Sequence, residues 1–124
     1  MAVALVALVV AGLAVGPLST LVEGPSFVAR ITFVNPSEYD LSVDATDGTR
    51  DGWVSVGTAR KESTTSHEAI IDQGEVWIFR FTGQGRDAGE LRMTRRDLER
   101  ATWTVQIPDS IAAELRAEGA PPTP

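Results

Sequence analysis

The chain has 124 residues, no cysteine and a net charge of −6 from 17 acidic and 11 basic residues. The missing cysteines exclude disulfides and thiolate metal sites. The acidic balance argues against general nucleic-acid binding, which needs a basic footprint. Ten of the eleven basic residues are arginine, and Lys61 is the only lysine.

Residues 1–22 carry no charged side chain, and from Ala2 to Val15 only Gly12 interrupts the apolar run. The run has about the 20 residues that cross a bilayer core. A buried core helix of the domain is a poor fit, since the run has no polar face and a domain helix should be amphipathic. Two readings stay open. As a membrane anchor it would be a hydrophobic helix ended early by Gly16-Pro17. As a signal peptide it lacks the basic leading region, and Pro17 would follow the nearest small-residue cleavage site. Arg30 is the only basic residue soon after the segment, and Glu23 adjoins it, so loop charge supports neither membrane orientation strongly.

Glu23 to Ser26 reads as a linker broken by Gly24 and Pro25. Residues 27–119 are left for one folded domain, large enough to bury a core. Phe27 to Val34 alternates as a strand, with Phe27, Ala29, Ile31 and Phe33 on one face. Asn35-Pro36-Ser37-Glu38 is a turn. Leu41, Val43 and Ala45 mark a half-exposed second strand, and Asp47 to Gly52 a polar loop. Trp53 to Val56 is a short third strand, and Thr58 to Glu62 a connection. Ser63 to Ile71, polar at its start, reads as an edge strand. The chain from Asp72 to Thr82 is the densest apolar block in the domain. Trp77, Phe79 and Phe81 share one face and Val76 and Ile78 the other, which predicts a central strand buried on both sides. A flexible loop at Gly83–Gly89 precedes a short strand at Leu91 and Met93. Thr94 and Asp97 form a capping pattern for a helix over 95–101. Trp103, Val105 and Ile107 alternate in a last strand. Asp109 is positioned to cap a final helix that ends at Gly119, and residues 120–124 read as a disordered tail.

Seven short strands with regular turn signals predict a mainly β domain, a β-sandwich with two short helices. The run Ile31-Thr32-Phe33-Val34-Asn35-Pro36, followed by Tyr39, Leu41 and Val43, resembles the opening strand pair of exported immunoglobulin-like β-sandwich domains, among them late-embryogenesis-abundant type 2 domains and bacterial envelope domains. Asp72-Gln73-Gly74-Glu75 is similar to a Pro-Gly-Glu element of such domains, with Gln73 in place of the proline. The resemblance covers about half of the folded part. It implies an immunoglobulin-like fold and an accessory role, and it brings no catalytic residues.

The chemistry-bearing residues are few. His67 is the only histidine, in a polar strand and without a nucleophile-elbow motif near any serine. Asp44, Asp47, Asp51 and Thr49 offer oxygens in one loop, but their spacing does not match an EF-hand and a solvated hairpin loop is the simpler reading. Arg92, Arg95, Arg96 and Arg100 form the one basic concentration, suited to phosphate, carboxylate or an acidic protein, although Asp97 and Glu99 interleave with them. Trp53, after a loop glycine, is the tryptophan expected to reach the surface. Trp77 and Trp103 read as core. These residues point to a non-enzymatic, cofactor-free accessory domain of the cell envelope, extracytoplasmic and attached to the membrane through residues 1–22. Its expected partner is another envelope protein. The alternative is an anionic or glycan partner held by the 92–100 segment and Trp53.

Overall fold

The computed structural model describes residues 26–124. The expected hydrophobic helix at residues 1–22 lies outside the described residues. Among those that are described, no helix is long and apolar enough to cross a membrane.

The domain is mainly β, with seven strands and two short helices. The strands are β1 (Phe27–Asn35), β2 (Leu41–Thr46), β3 (Val54–Ala59), β4 (Ser63–Ile71), β5 (Val76–Gly83), β6 (Arg86–Thr94) and β7 (Thr104–Gln106). Helix α1 (Arg95–Arg100) lies between β6 and β7, and α2 (Asp109–Ala117) follows β7. One sheet has the order β4-β1-β7, with β7 parallel to β1; the other has the order β3-β2-β5-β6. The two sheets face each other across one core, where Phe33 of the first meets Phe79 of the second edge-on at 5.6 Å. Edge-to-face contact suits the ring quadrupoles.

β5 is an interior strand, as its double-sided apolar pattern predicts. Trp77, Phe79 and Phe81 are fully buried on the core face. β4 is an edge strand, also as expected. The strand division departs from that of immunoglobulin domains, in which the first, second, fourth and fifth of seven strands share a sheet. Here the first, fourth and seventh do.

Three local expectations change. The segment read as a flexible loop at 83–89 is a tight hairpin, in which Gln84 and Gly85 take φ of 51° and 72° and β6 begins at Arg86. Positive φ at both central positions gives the strand-matched twist of a two-residue turn. In β1, Phe27 is exposed and Val28 buried, so the alternation slips before Ile31. The partner strand slips too, from half-buried His67 to buried Ile70, across Ala69 at φ 57°. Asp109 is the first helical residue of α2 rather than its cap; Pro108 holds the cap position without a side-chain bond.

The capping box is present at α1: Thr94 Oγ1 accepts from the Asp97 amide, and the Asp97 carboxylate accepts from the Thr94 amide. At the end of α2 the Gly119 amide bonds to the Arg116 carbonyl and the Ala120 amide to the Leu115 carbonyl, with Gly119 at φ 78°. That is a Schellman ending, and it turns the chain back onto the domain. The expected frayed tail is therefore docked. The Tyr39 hydroxyl donates to the Ala120 carbonyl at 2.8 Å, Thr123 Oγ1 accepts from the Asp40 amide, and Lys61 Nζ donates to the Thr123 carbonyl.

Candidate functional site

The first candidate surface is the outer face of the four-stranded sheet. Ile78 points away from the core yet is 1% exposed. The loop between β2 and β3 folds back across this face on either side of it, against Val76 and Arg80. Gly48 sits against Val76, and the Thr46 hydroxyl donates to the Gly52 carbonyl. Arg50 grips Glu90 with two hydrogen bonds of 3.0 and 2.6 Å. Arg80 lies 4.0 Å from the centre of the Trp53 ring and bonds Asp44 at 3.0 Å. A guanidinium over an indole face is attracted by the ring quadrupole. The Arg50 hydrogen bonds lower the Glu90 pKa below its ordinary value against a desolvation penalty, and the charges of Arg50 and Arg80 help.

Trp53, expected to reach the surface, is half-buried with one ring face taken by Arg80. The loop acids are divided rather than gathered. Asp47 accepts from the Thr49 amide and hydroxyl, and those bonds lower its pKa, while Asp44 serves Arg80. Among the described residues no group of three or more His, Cys, Asp or Glu side chains is placed to hold a metal ion. Arg80, Arg50 and Glu90 escaped the sequence reading. Arg80 and Glu90 are brought side by side by the register Asp44↔Arg80↔Glu90, and Arg50 joins them from the loop between β2 and β3.

The second candidate surface is the arginine segment, and the structure divides its four residues by role. Arg92 lies on the outer sheet face, opposite Ile78. Arg95 is a strut. Its guanidinium bonds the Asp72 carboxylate at 2.7 Å and the Gly74 carbonyl at 3.3 Å, and it lies 5.3 Å from the Trp103 ring centre. Arg96 and Arg100 are exposed on α1. With 100° per residue they lie about 160° on either side of the buried Leu98, an i,i+4 pair facing away from the core.

No known protein family, curated protein or solved structure matches this chain.

The remaining chemistry is engaged in holding the fold. His67, in the strand read as polar, is half-buried where β4 meets β3. Its Nε2 donates to the Thr58 carbonyl at 2.9 Å, because a carbonyl can only accept. A cleft of about 280 Å³ lies between the Asn35–Ser37 turn and α2. Its polar lining is largely committed: Ser37 bonds Asn35 Oδ1, and Arg116 bonds Glu38 through two contacts of 2.8 and 2.6 Å. Arg96, Arg100 and Arg92 are the cations of the 92–100 segment that make no ion pair among the described residues.

Proposed function

We propose that this chain is a membrane-tethered, non-enzymatic accessory domain of the cell envelope that binds another protein. The observation that carries the reading is the junction at residues 23–26. An apolar run long enough to cross a bilayer ends at Val22, and after four linker residues Phe27 opens the first strand of a folded domain. A domain so placed is held at a membrane surface. There tethering raises the effective concentration of a neighbouring partner without any catalytic step. The likeness of the Ile31–Val43 stretch to exported immunoglobulin-like domains supports the same reading through its strand-turn-strand sequence rather than through strand order. It is also the reason for placing the domain outside the cytoplasm.

Carbonate-washed membranes test the tether: the full-length chain should stay in the pellet. Recovery in the supernatant would remove the tether, and a mature N-terminus at residues 15–25 would replace it with a secreted domain. A lone cysteine at exposed Thr64 tests the side. It should react with an impermeant thiol reagent in intact cells, and protection until lysis would put the domain in the cytoplasm.

The exposed pair Arg96 and Arg100 favours a second reading, a module for an anionic or glycan ligand. Trp53 adds less to it than the sequence suggests, because Arg80 occupies one face of its ring. Contacts built on exposed arginines weaken as salt screens them over about 8 Å. A protein interface with an apolar centre survives salt. Partner capture by the whole chain that persists in high salt and in Arg96→Gln/Arg100→Gln supports the accessory domain. Loss of all capture in that variant, with an unchanged melting temperature, supports the ligand module.

A further inference from the structure

Phe27 and Ile71 are the exposed large hydrophobic residues among the described residues, at 58% and 37%. Single exposed apolar residues are ordinary. These two are cross-strand partners at one end of β1 and β4, so their side chains share a face.

That end of the domain also carries α1. The Ser26 carbonyl accepts the Asp72 amide at 2.9 Å, and the Asp72 carboxylate holds Arg95, the first residue of α1. The Arg95 amide bonds the Glu75 carbonyl at 2.8 Å. Arg96 and Arg100 therefore face outward from α1 at the same end of the domain as the apolar pair. The pole formed by residues 71–76 and 92–100 contains four arginines and four acids, Asp72, Glu75, Asp97 and Glu99. Of the other 13 acids Glu23 lies in the linker, and the remaining 12 acids and seven bases give the rest of the domain a net charge of −5. An anionic surface repels the rest of the domain and not this pole.

The chain enters the domain here. Four linker residues span at most about 14 Å, so a bilayer that holds residues 2–22 lies within that reach of the pole.

We propose that this pole rests on the phospholipid surface, with Phe27 and Ile71 at the headgroup–acyl boundary and Arg96 and Arg100 among the lipid phosphates. The pairing of apolar anchors with arginine is the composition of surfaces that lie in a membrane interface. The domain then stands on end, and the Asn35–Ser63 end of β1 and β4, with the docked tail, faces away. The inference rests on the tether reading above.

The chain has no cysteine, so single spin labels are unambiguous. One label goes at Glu75→Cys, on the pole, and one at Thr64→Cys, seven residues up β4 from Ile71 and about 23 Å away. The full chain is placed in vesicles of phosphatidylcholine and phosphatidylglycerol and floated. The label at 75 should be shielded several-fold from a water-soluble relaxation agent and approached by oxygen, and the label at 64 should not. In Phe27→Ser/Ile71→Ser, and in Arg96→Gln/Arg100→Gln, the label at 75 should return to water while the chain still floats. A chain that does not float overturns the tether and this orientation together. A floating chain with both labels equally wet overturns the orientation alone. So does a label at 75 that stays shielded in both variants, since the tether alone would then explain it.

Discussion

The imidazole of His67 occupies the space that a side chain at Gly57 would need: a Cβ there would stand 2.3 Å from His67 Cε1. Gly57 has φ 144°, a conformation that side chains resist in any case. This contact closes the seam between β3 and β4, the edges of the two sheets. Gly57→Ala should cost about 2–4 kcal/mol, combining overpacking with backbone strain. Gly57→Ala/His67→Ala should recover the overpacking part, leaving a coupling of at least about 1 kcal/mol in a denaturation cycle. Strict additivity would mean that the ring is not what excludes the side chain.

Asn35 ends β1 with its side chain fully enclosed and every bond made. Its Nδ2 donates to the Tyr39 carbonyl at 2.8 Å and the Ala59 carbonyl at 3.0 Å, and its Oδ1 accepts from the Ser37 amide and hydroxyl. Asn35→Ala leaves several buried groups without partners and should cost about 2–4 kcal/mol. Asn35→Asp keeps the shape but removes the donor, placing a carboxylate against two carbonyls. Urea unfolding should find the aspartate variant no more stable than the alanine one. A near-wild-type midpoint for Asn35→Asp would contradict the donor role.

The C-terminal residues should contribute to stability because they are docked. Tyr39→Phe strands the Ala120 carbonyl and should cost about 1 kcal/mol. Removing residues 121–124 deletes the Thr123 bonds to Asp40, Lys61 and Glu38, and should lower the melting temperature by a few degrees. A truncation without thermal effect would restore the frayed tail of the sequence reading.

These cases show what the sequence carried. β5 was legible because Trp77, Phe79 and Phe81 alternate without interruption and both faces are apolar. The α1 cap was legible because a capping box is local, made by Thr94 and Asp97 three residues apart. Gly119 was legible as a helix stop for the same reason. The start of β6 was not, since Gly83-Gln84-Gly85 followed by polar residues has the composition of a loop. It became a strand by pairing with β5. Trp53 and the tail were misplaced because their partners, Arg80 and Tyr39, are distant in sequence. The split of the arginine segment is similar: nothing near Arg95 in sequence announces Asp72 23 residues earlier.

Acid should act on the turn that Arg116 clasps. The Arg116 hydrogen bonds push the Glu38 pKa down from 4.5 to about 2, with help from the residue's own backbone and the Arg116 charge, against desolvation. A folded-state pKa below the unfolded one adds stability above the unfolded value, and that stability is lost as pH falls towards the folded value. The window is therefore pH 4.5 down to about 2. Glu38→Gln should melt below wild type at pH 6, and the two should converge at the acid end of that window. A gap that persists there would assign the effect to packing.

Arg95 and Arg96 adjoin in sequence and should behave as opposites. Arg95→Gln loses the 2.7 Å bond to Asp72, the bond to the Gly74 carbonyl and the cover over Trp103. Both partners of the ion pair are mostly shielded, with 28% and 20% of their side chains exposed. A charged hydrogen bond in that setting is worth about 1.5–3 kcal/mol. Arg96→Gln removes an exposed side chain without an ion-pair partner among the described residues, and should change stability by less than about 0.5 kcal/mol. Asp72 supplies a second readout. Burial works to raise its pKa, and the hydrogen bonds from Arg95 and the Gly74 amide, with the Arg95 charge, outweigh it and leave the carboxyl below 3.8. Its contribution is present above 3.8 and lost as the pH falls below that value. Without Arg95 the burial remains, so the carboxyl titration of Asp72 should move upward in Arg95→Gln and stay in place in Arg96→Gln. Carbon-detected NMR of the Asp72 side chain follows both. A titration that stays in place in Arg95→Gln would show that the Gly74 amide alone holds the carboxylate, and that the strut is not what fastens α1 to the β4–β5 turn.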